Sequence, residues 1–223
     1  MLKYFMNCPF CNHNIIYTLQ TTQKKCAKCL QKFSEKKILF EKKIISLFCE
    51  NITVNQCVKN HNLNYVTVKK KYDKYRQLIA SFLEEEYLNK QVLEYDEYIY
   101  LELSKKKIKE NIFDAINFMT FNYEDKVYNL LMPNLHRYKN QFLDDGLQES
   151  YFKEFSKFMM MNKISKIQKK ENIIASFWIF FEESILKYKG IDKENFFYYL
   201  KEIEFKFNYS LNEQREILST LVK

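Results

Sequence analysis

Two pairs of cysteines near the N-terminus place the strongest constraint on how this chain can fold. Cys8 and Cys11 form one CxxC motif, Cys26 and Cys29 form another, and 14 residues separate the pairs. Each pair fits a tight turn that presents two thiolates to one metal ion, and four sulfurs at about 2.3 Å complete a tetrahedral zinc site. The spacing predicts a zinc ribbon over residues 1–35. The zinc ion is expected to be structural, because four thiolates leave no position open for a substrate.

The other cysteines have no partner at ligand spacing. Cys49 and Cys57 are predicted to be small buried apolar side chains, and His13 is a weaker rival for the metal. The opening residues do not resemble a signal peptide, and no later stretch reaches about 18 uncharged apolar residues. We therefore expect a cytoplasmic protein with no membrane partner, whose cysteines bind metal or stay buried rather than form disulfides.

Composition and charge narrow the class of protein further. With 223 residues and 47% hydrophobic content the chain can bury a core, and only two glycines and two prolines argue against a turn-rich all-β fold. Residues 1–90 carry 16 Lys and Arg against 7 Asp and Glu, whereas residues 91–223 carry 20 against 21. An anionic partner is therefore expected to be attracted to the N-terminal part.

Residues 36–90 are predicted to form a helical second domain, because their apolar side chains recur at roughly helical spacing. Thr53 suits the N-cap of a short helix that ends near His61, residues 62–64 form a corner, and a longer helix begins at Tyr65 or Val66. This order is typical of a helix-turn-helix, whose second helix enters the major groove of double-stranded DNA.

The polar side chains of that second helix are the predicted DNA contacts. They are Thr67, Lys69, Lys70, Lys71, Lys74 and Arg76. Val68, Tyr72 and Tyr75 are expected to pack inward. Lys and Arg at such positions mostly meet phosphates, which positions a protein on DNA but carries little sequence information. The competing interpretation is a solvated basic helix that supports a core or binds a protein.

Residues 91–223 predict a third domain of the α+β class, with β-rich sequence followed by helices. The runs VLEYDEYIYLEL, IFDAINFMTF and KVYNLLMP predict a three-stranded antiparallel meander. Apolar periodicity predicts helices at about 147–162, 172–188 and 193–207. The aromatic-rich C-terminal end is interpreted as core, with a homodimer or protein-partner surface as the alternative.

Five motifs carry a resemblance to a known family. CPFCN, KCAKCLQKFS, EYDEY, NIIASFW and LKYKGIDKENFFYYLKEIEFKFNYS together resemble zinc-ribbon insertion-sequence transposases of the ISXO-like group. The resemblance covers almost the whole chain and is strongest at the ribbon and in the C-terminal quarter. It implies a truncated ribonuclease-H-like domain, whose family site is of the DDE type. There, acidic side chains hold two Mg²⁺ ions that clamp the attacking and leaving oxygens during DNA phosphoryl transfer.

The resemblance assigns the family's carboxylates one by one. Asp96 matches the first, and Asp145, with Asp144 as a rival, stands at the second. The family pattern Asn-Gly-Ile-Glu-Ser-Phe-Trp corresponds to residues 172–178, so the third carboxylate is replaced by Ala175. A methyl group cannot ligate Mg²⁺, which requires oxygen ligands.

Of the two neighbouring acids, Glu171 is close enough for a long side chain to recover part of the gap, whereas Glu182 is too far without backbone rearrangement. Glu171 lies one turn before Ala175, about 6 Å along the helix axis, and Glu182 lies farther away, about 10 Å. Glu182 and Glu183 also stand where the family usually has basic residues, and their charge would repel DNA.

The resemblance therefore implies a non-catalytic DNA-binding protein with a regulatory or DNA-processing accessory role. Two alternatives remain. The first is an active transposase, which would bind Mg²⁺ only if Glu171 or another acid completed the carboxylate site. The second is a zinc-ribbon scaffold that binds protein. In the simplest competing interpretation, Asp96 and Asp145 are polar residues at a strand end or turn.

Overall fold

The computed structural model describes residues 7–20, 23–102, 105, 114–133, 172–188 and 190–222. These residues form a mixed α+β fold with six α-helices and two three-stranded antiparallel sheets, which confirms the predicted class. The strands are β1 (Ile16–Thr18), β2 (Lys24–Cys26), β3 (Lys32–Phe33), β4 (Glu94–Tyr100), β5 (Ile116–Tyr123) and β6 (Lys126–Leu131). The helices are α1 (Glu35–Cys49), α2 (Val54–His61), α3 (Tyr65–Tyr87), α4 (Ile173–Ile185), α5 (Phe196–Asn208) and α6 (Leu211–Leu221).

The chain divides into two compact units. The first contains Met1–Leu78 and Tyr209–Lys223, and the second contains Ile79–Asn208. Helix α6 belongs to the first unit, where it packs against α1 and where Arg215 forms an ion pair of 2.6 Å with Glu50. The predicted domains 1–35, 36–90 and 91–223 follow chain order, whereas α6 joins the N-terminal unit in space.

An aromatic cluster holds the helices of the first unit together. Phe48 of α1 packs edge-on against Tyr72 and Tyr75 of α3, with ring centroids 4.9 Å and 5.5 Å apart. These residues and Val68 are buried. Because positions 68, 72 and 75 recur every three or four residues, they form one apolar stripe on α3. The predicted inward-facing residues of this helix are confirmed.

The sheet of the second unit has the predicted order β4-β5-β6, and both pairs of neighbouring strands are antiparallel. Asp96 of β4 lies opposite Thr120 of β5, which lies opposite Asn129 of β6. Directly paired residues share a face of a sheet, so these three side chains lie on the same side. Phe118 and Val127 of that side are buried in a core with α4 and α5.

Helices α4 and α5 confirm two of the three helices predicted after the sheet, whereas the one predicted at about 147–162 lies outside the described residues. Much of the aromatic-rich end forms the core of the second unit. The buried aromatic residues that this end contributes to the second unit are Phe177, Trp178, Phe181, Phe196 and Phe205. In the described part of the chain, no helix is both long and apolar enough to cross a bilayer.

A buried lysine and its ion-pair partner Glu204 join α5 to α3 and to β6. Lys201 is fully buried, with its ammonium 3.3 Å from Glu204 and 3.2 Å from Glu84. The ammonium also lies 3.6 Å from the centroid of the Tyr128 ring, a cation–π contact. Glu204 accepts hydrogen bonds of 2.9 Å from both the backbone and the side chain of Asn129. These contacts offset the cost of burying the charges.

Candidate metal centre and basic helical surface

The four predicted metal ligands converge at the N-terminal sheet. The sulfur atoms of Cys8, Cys11, Cys26 and Cys29 all lie within 4.8 Å of one another. Cys8 and Cys29 are 3.7 Å apart, and Cys11 and Cys26 are 3.5 Å apart. A tetrahedral ion with bonds of about 2.3 Å separates its sulfurs by about 3.8 Å. The cluster can therefore hold a metal ion, and its chemistry is consistent with structural zinc.

Both cysteine turns share the same backbone conformation. The N–H of Asn12 donates to the carbonyl of Cys8 at 2.9 Å, and the N–H of Leu30 donates to the carbonyl of Cys26 at 3.1 Å. Asn12 and Leu30 have φ values of +57° and +59°. Leucine rarely adopts this region, so the geometry of the turn rather than the preference of the side chain sets the conformation. The turns aim their thiols at a common point.

Hydrogen bonds around Cys26 favour its thiolate form. Burial opposes ionisation, but the backbone N–H groups of Cys29 and Lys28, together with the thiols of Cys11 and Cys29, lower the pKa of Cys26 to about 6. The N–H of Gln31 also favours the Cys29 thiolate, yet burial and the neighbouring sulfurs raise the pKa of Cys29 to about 12. Without metal Cys29 therefore retains its proton, and a bound cation would displace it.

Little apolar packing surrounds the cluster. The buried residues of this small core are Cys8, Cys26 and Phe33, with Ile16 and Ile38 packed against it. Within the described residues, the group of four cysteines does not include His13, Cys49 or Cys57. Cys49 and Cys57 are buried thiols, as predicted. We expect a ribbon with so small a core to depend on a bound metal ion for its stability.

The short helix and the corner before α3 have the predicted limits. Thr53 caps α2 in a reciprocal capping box with Gln56, whose side chain accepts from the Thr53 N–H at 2.8 Å. Asn62 ends α2 with a φ of +51°, a region that asparagine adopts more readily than most residues. The Asn64 side chain then accepts from the Thr67 N–H at 3.0 Å, which caps the first turn of α3.

Four of the six predicted DNA contacts are exposed. Thr67, Lys70 and Lys74 lie at helical spacing on one solvent face of α3, and Lys69 is exposed beside them in an ion pair of 2.8 Å with Asp73. Lys71 is half-buried and pairs with Glu41 of α1.

Arg76 requires a correction, because it does not belong to this exposed surface. It is only 5% exposed, and its guanidinium lies 3.0 Å from Asp73 and 6.0 Å from the ring centroids of Phe48 and Tyr72. Position 76 follows Tyr72 by one helical turn, so it falls on the buried side of α3. Arg76 supports the core instead of offering a free positive charge.

The predicted carboxylate positions are only partly described. Asp96 is exposed on β4, and its carboxylate accepts from the N–H of Glu97 at 2.8 Å. Glu94, on the same face of β4, accepts from the side chain of Asn172 at 2.8 Å. Asp145 and its rival Asp144 lie outside the described residues.

The face of helix α4 that contains Ala175 lies against the sheet. Asn172 at its N-cap contacts Glu94, and Trp178 donates to Thr120, opposite Asp96, at 3.0 Å. Ala175 is three residues from each of them, so it shares this face. Glu182 accepts from the Tyr98 hydroxyl at 2.5 Å.

Comparisons with protein-family models, curated proteins and solved structures give no match. The transposase resemblance therefore stays a prediction from motifs, and the function is inferred from the described geometry.

Sequence reasoning did not identify one residue of the basic surface. Val66 lies in the first turn of α3 and is 56% exposed, although it is apolar. Its position lies off the stripe of Val68, Tyr72 and Tyr75, and this periodicity was the available signal. Tyr65, three residues before Val68, is in phase with the stripe but is 47% exposed at the start of the helix.

Proposed function

We propose that this protein is a DNA-binding protein derived from an insertion-sequence transposase. It binds double-stranded DNA through α2 and α3, carries a structural zinc ion in its ribbon, and has lost strand-transfer chemistry. The solvent face of α3 is the observation that carries this proposal. Thr67, Lys70 and Lys74 share that face, and Val66 lies at its N-terminal end.

The geometry of this surface suits a recognition helix. In a helix-turn-helix, the N-terminal residues of the second helix contact base edges, while basic side chains meet the phosphates. The corner at Asn62 and the caps of both helices fix the N-terminal end of α3. Val66 can make an apolar contact with a thymine methyl group, and Lys70 and Lys74 can neutralise phosphates.

The distribution of charge supports the same partner. The excess of Lys and Arg lies in residues 1–90, as counted above, whereas residues 91–223 are nearly neutral. A long-range attraction to a polyanion is therefore concentrated in the part of the chain that contains α3.

The proposal that this protein has lost strand-transfer chemistry rests on Ala175. Its position on α4 faces β4, where Asp96 stands, and an alanine offers no oxygen to Mg²⁺. Glu182 is the next acid along α4, and it is engaged by the hydroxyl of Tyr98. The described residues at this position therefore do not fit a third carboxylate ligand, and Glu171 lies outside them. A dimer or protein-partner role for the C-terminal region stays a prediction.

Duplex binding is tested by fluorescence anisotropy with the zinc-loaded full chain at several salt concentrations. The variant Lys70→Ala/Lys74→Ala removes two exposed charges from α3. The control variant Lys36→Ala/Lys43→Ala removes two exposed charges from α1. We expect the α3 variant to bind at least about tenfold more weakly at 0.1 M salt and to lower the salt slope by about 1.8. Equal behaviour of the two variants, or no duplex binding by wild type, would overturn the proposal.

A DNA cleavage assay tests whether the protein has lost Mg²⁺-dependent strand-transfer chemistry. Incubation of the protein with Mg²⁺ and duplex DNA that carries the ends of a matching insertion sequence is expected to give no strand cleavage. Cleavage that disappears in Asp96→Asn would instead establish an active Mg²⁺-dependent transposase.

A further inference from the structure

The register of the ribbon sheet aligns three side chains across its strands. Tyr17 of β1 lies opposite Lys25 of β2, and Lys25 lies opposite Lys32 of β3. Directly opposite residues in antiparallel strands project from the same face. The neighbouring pair Ile16 and Cys26 projects from the other face, toward the metal cluster. Tyr17, Lys25 and Lys32 therefore form a row on the outer face of the sheet.

This outer face combines an exposed ring with positive charge. Tyr17 is 58% exposed, Lys32 is exposed and Lys25 is half-buried. Residues 1–34 contain five lysines and no Asp or Glu. The first acid of the chain, Glu35, pairs at 2.5 Å with Lys24, which alternation places on the inner face. Even with two negative charges from a four-thiolate zinc centre, the ribbon stays positive.

We propose that the outer face of the ribbon is a binding site for single-stranded DNA. Tyr17 stacks on an unpaired base, and Lys25 and Lys32 contact the phosphates that follow it. A ring and cations on a small sheet form a stacking platform of the kind that binds single strands with little sequence preference. Duplex DNA fits this row less well, because its bases are already stacked and present only their edges.

The site is separate from the solvent face of α3 and extends the proposed function. A protein that binds both forms of DNA would hold an opened strand through its ribbon while α3 remains on neighbouring duplex. An acidic protein partner is the other occupant that the charge admits, but the aligned ring favours an unpaired base.

The test uses a labelled oligothymidylate and the zinc-loaded full chain. Tyr17→Ala is expected to weaken binding by about 5-fold to about 150-fold, whereas Tyr17→Phe keeps the ring and stays within about twofold of wild type. Lys25→Ala/Lys32→Ala is expected to lower the salt slope by about 1.4. The control Tyr95→Ala removes a tyrosine that is 66% exposed on β4, and it is expected to leave binding unchanged.

Metal content and duplex affinity are measured on every variant, so that loss of the ribbon fold is distinguished from loss of the contact. Single-strand binding that falls in Tyr17→Ala, with metal and duplex binding intact, supports the site. Undetectable oligothymidylate binding, or wild-type affinity in Tyr17→Ala, overturns it. In that case duplex binding through α3 still decides the proposed function independently.

Discussion

At the scale of single residues, the six cysteines separate into two chemical roles. Four of them place their sulfurs within reach of one ion, whereas Cys49 and Cys57 are buried away from that cluster. Cys57 instead lies 3.3 Å from the hydroxyl of Tyr72. Burial alone therefore does not identify a ligand, because both groups contain buried thiols.

Replacing one ligand is expected to abolish stoichiometric metal binding. Cys26→Ser exchanges a thiolate for a hydroxyl, a much poorer ligand for zinc, and leaves three sulfurs in the cluster. Cys49→Ala removes a buried thiol that is not part of the cluster. Metal analysis should give one ion per chain for wild type and Cys49→Ala, and far less for Cys26→Ser. Full metal content in Cys26→Ser would contradict the four-cysteine site.

An ion pair in the second unit is expected to give an acid-sensitive contribution to stability. Hydrogen bonding to Lys193, with the charge of Lys105 at 3.4 Å, lowers the pKa of Asp114 despite partial burial. The fold therefore favours the charged form. Its contribution is complete above the unfolded pKa of about 3.9 and is lost as pH falls through the lower folded pKa.

Urea unfolding of Asp114→Asn measures this effect. At neutral pH the variant should be about 0.5 kcal/mol less stable than wild type, a small value because the pair is partly exposed. The difference should shrink in acid. Asp125→Asn, at the exposed turn between β5 and β6, is the control, and we expect it to change stability little at any pH. A pH-independent difference for Asp114→Asn would contradict the assignment.

The burial of Arg76 could not be predicted from its residue type alone. Its charge predicts a place beside the exposed lysines, yet its position follows Tyr72 by one turn and its side chain is buried. Helical phase decided its environment, and the aromatic rings and Asp73 accommodate its charge.

At the scale of elements, the corner between α2 and α3 determines where the basic surface begins. The left-handed conformation at Asn62 lets the chain leave α2 and start α3 within three residues. Thr53, the corner and the start of α3 could all be predicted, because caps and turns depend on residues close in sequence.

Substitution at the corner is expected to change stability and duplex binding together. Asn62→Val introduces a β-branched side chain at positive φ and should destabilise the first unit by about 1–2 kcal/mol. Asn62→Gly relieves the backbone and should stay close to wild type. Thermal unfolding and anisotropy on duplex DNA are the measurements. Wild-type stability in Asn62→Val would show that the corner adopts another conformation.

Alternation and periodicity also predicted the sheet and the helices around it. The runs that became β4, β5 and β6 were identified, although the strands are shorter than the runs. Element ends are set by hydrogen bonds and packing that propensity does not include.

At the scale of the whole molecule, the ribbon and the second unit have cores of different kinds. The ribbon has little more than its cysteines and Phe33, whereas the second unit buries aromatic rings between its sheet and two helices. Trp178, the single tryptophan of the chain, lies in the latter core. It is therefore a reporter of the second unit alone.

Metal removal should destabilise the ribbon and leave the core of the second unit unchanged. Chelation is expected to accelerate amide hydrogen exchange across residues 7–33, because the metal replaces the missing apolar core there. The fluorescence of Trp178 should stay unchanged. A shift of its emission on chelation would show that the metal also supports the second unit, and slow exchange in the ribbon would contradict a structural role for the ion.

The sequence by itself determined the metal ligands, the ends of α2 and the start of α3, the inward stripe of α3 and the strands of the meander. All of these depend on spacing and on neighbours a few residues away. Tertiary structure alone decided that α6 packs on α1, that Lys71 meets Glu41, and that Lys201 is buried between Glu84 and Glu204. Hydrophobic periodicity predicts which face of an element is buried. Which other element packs against that face depends on contacts between residues far apart in the chain.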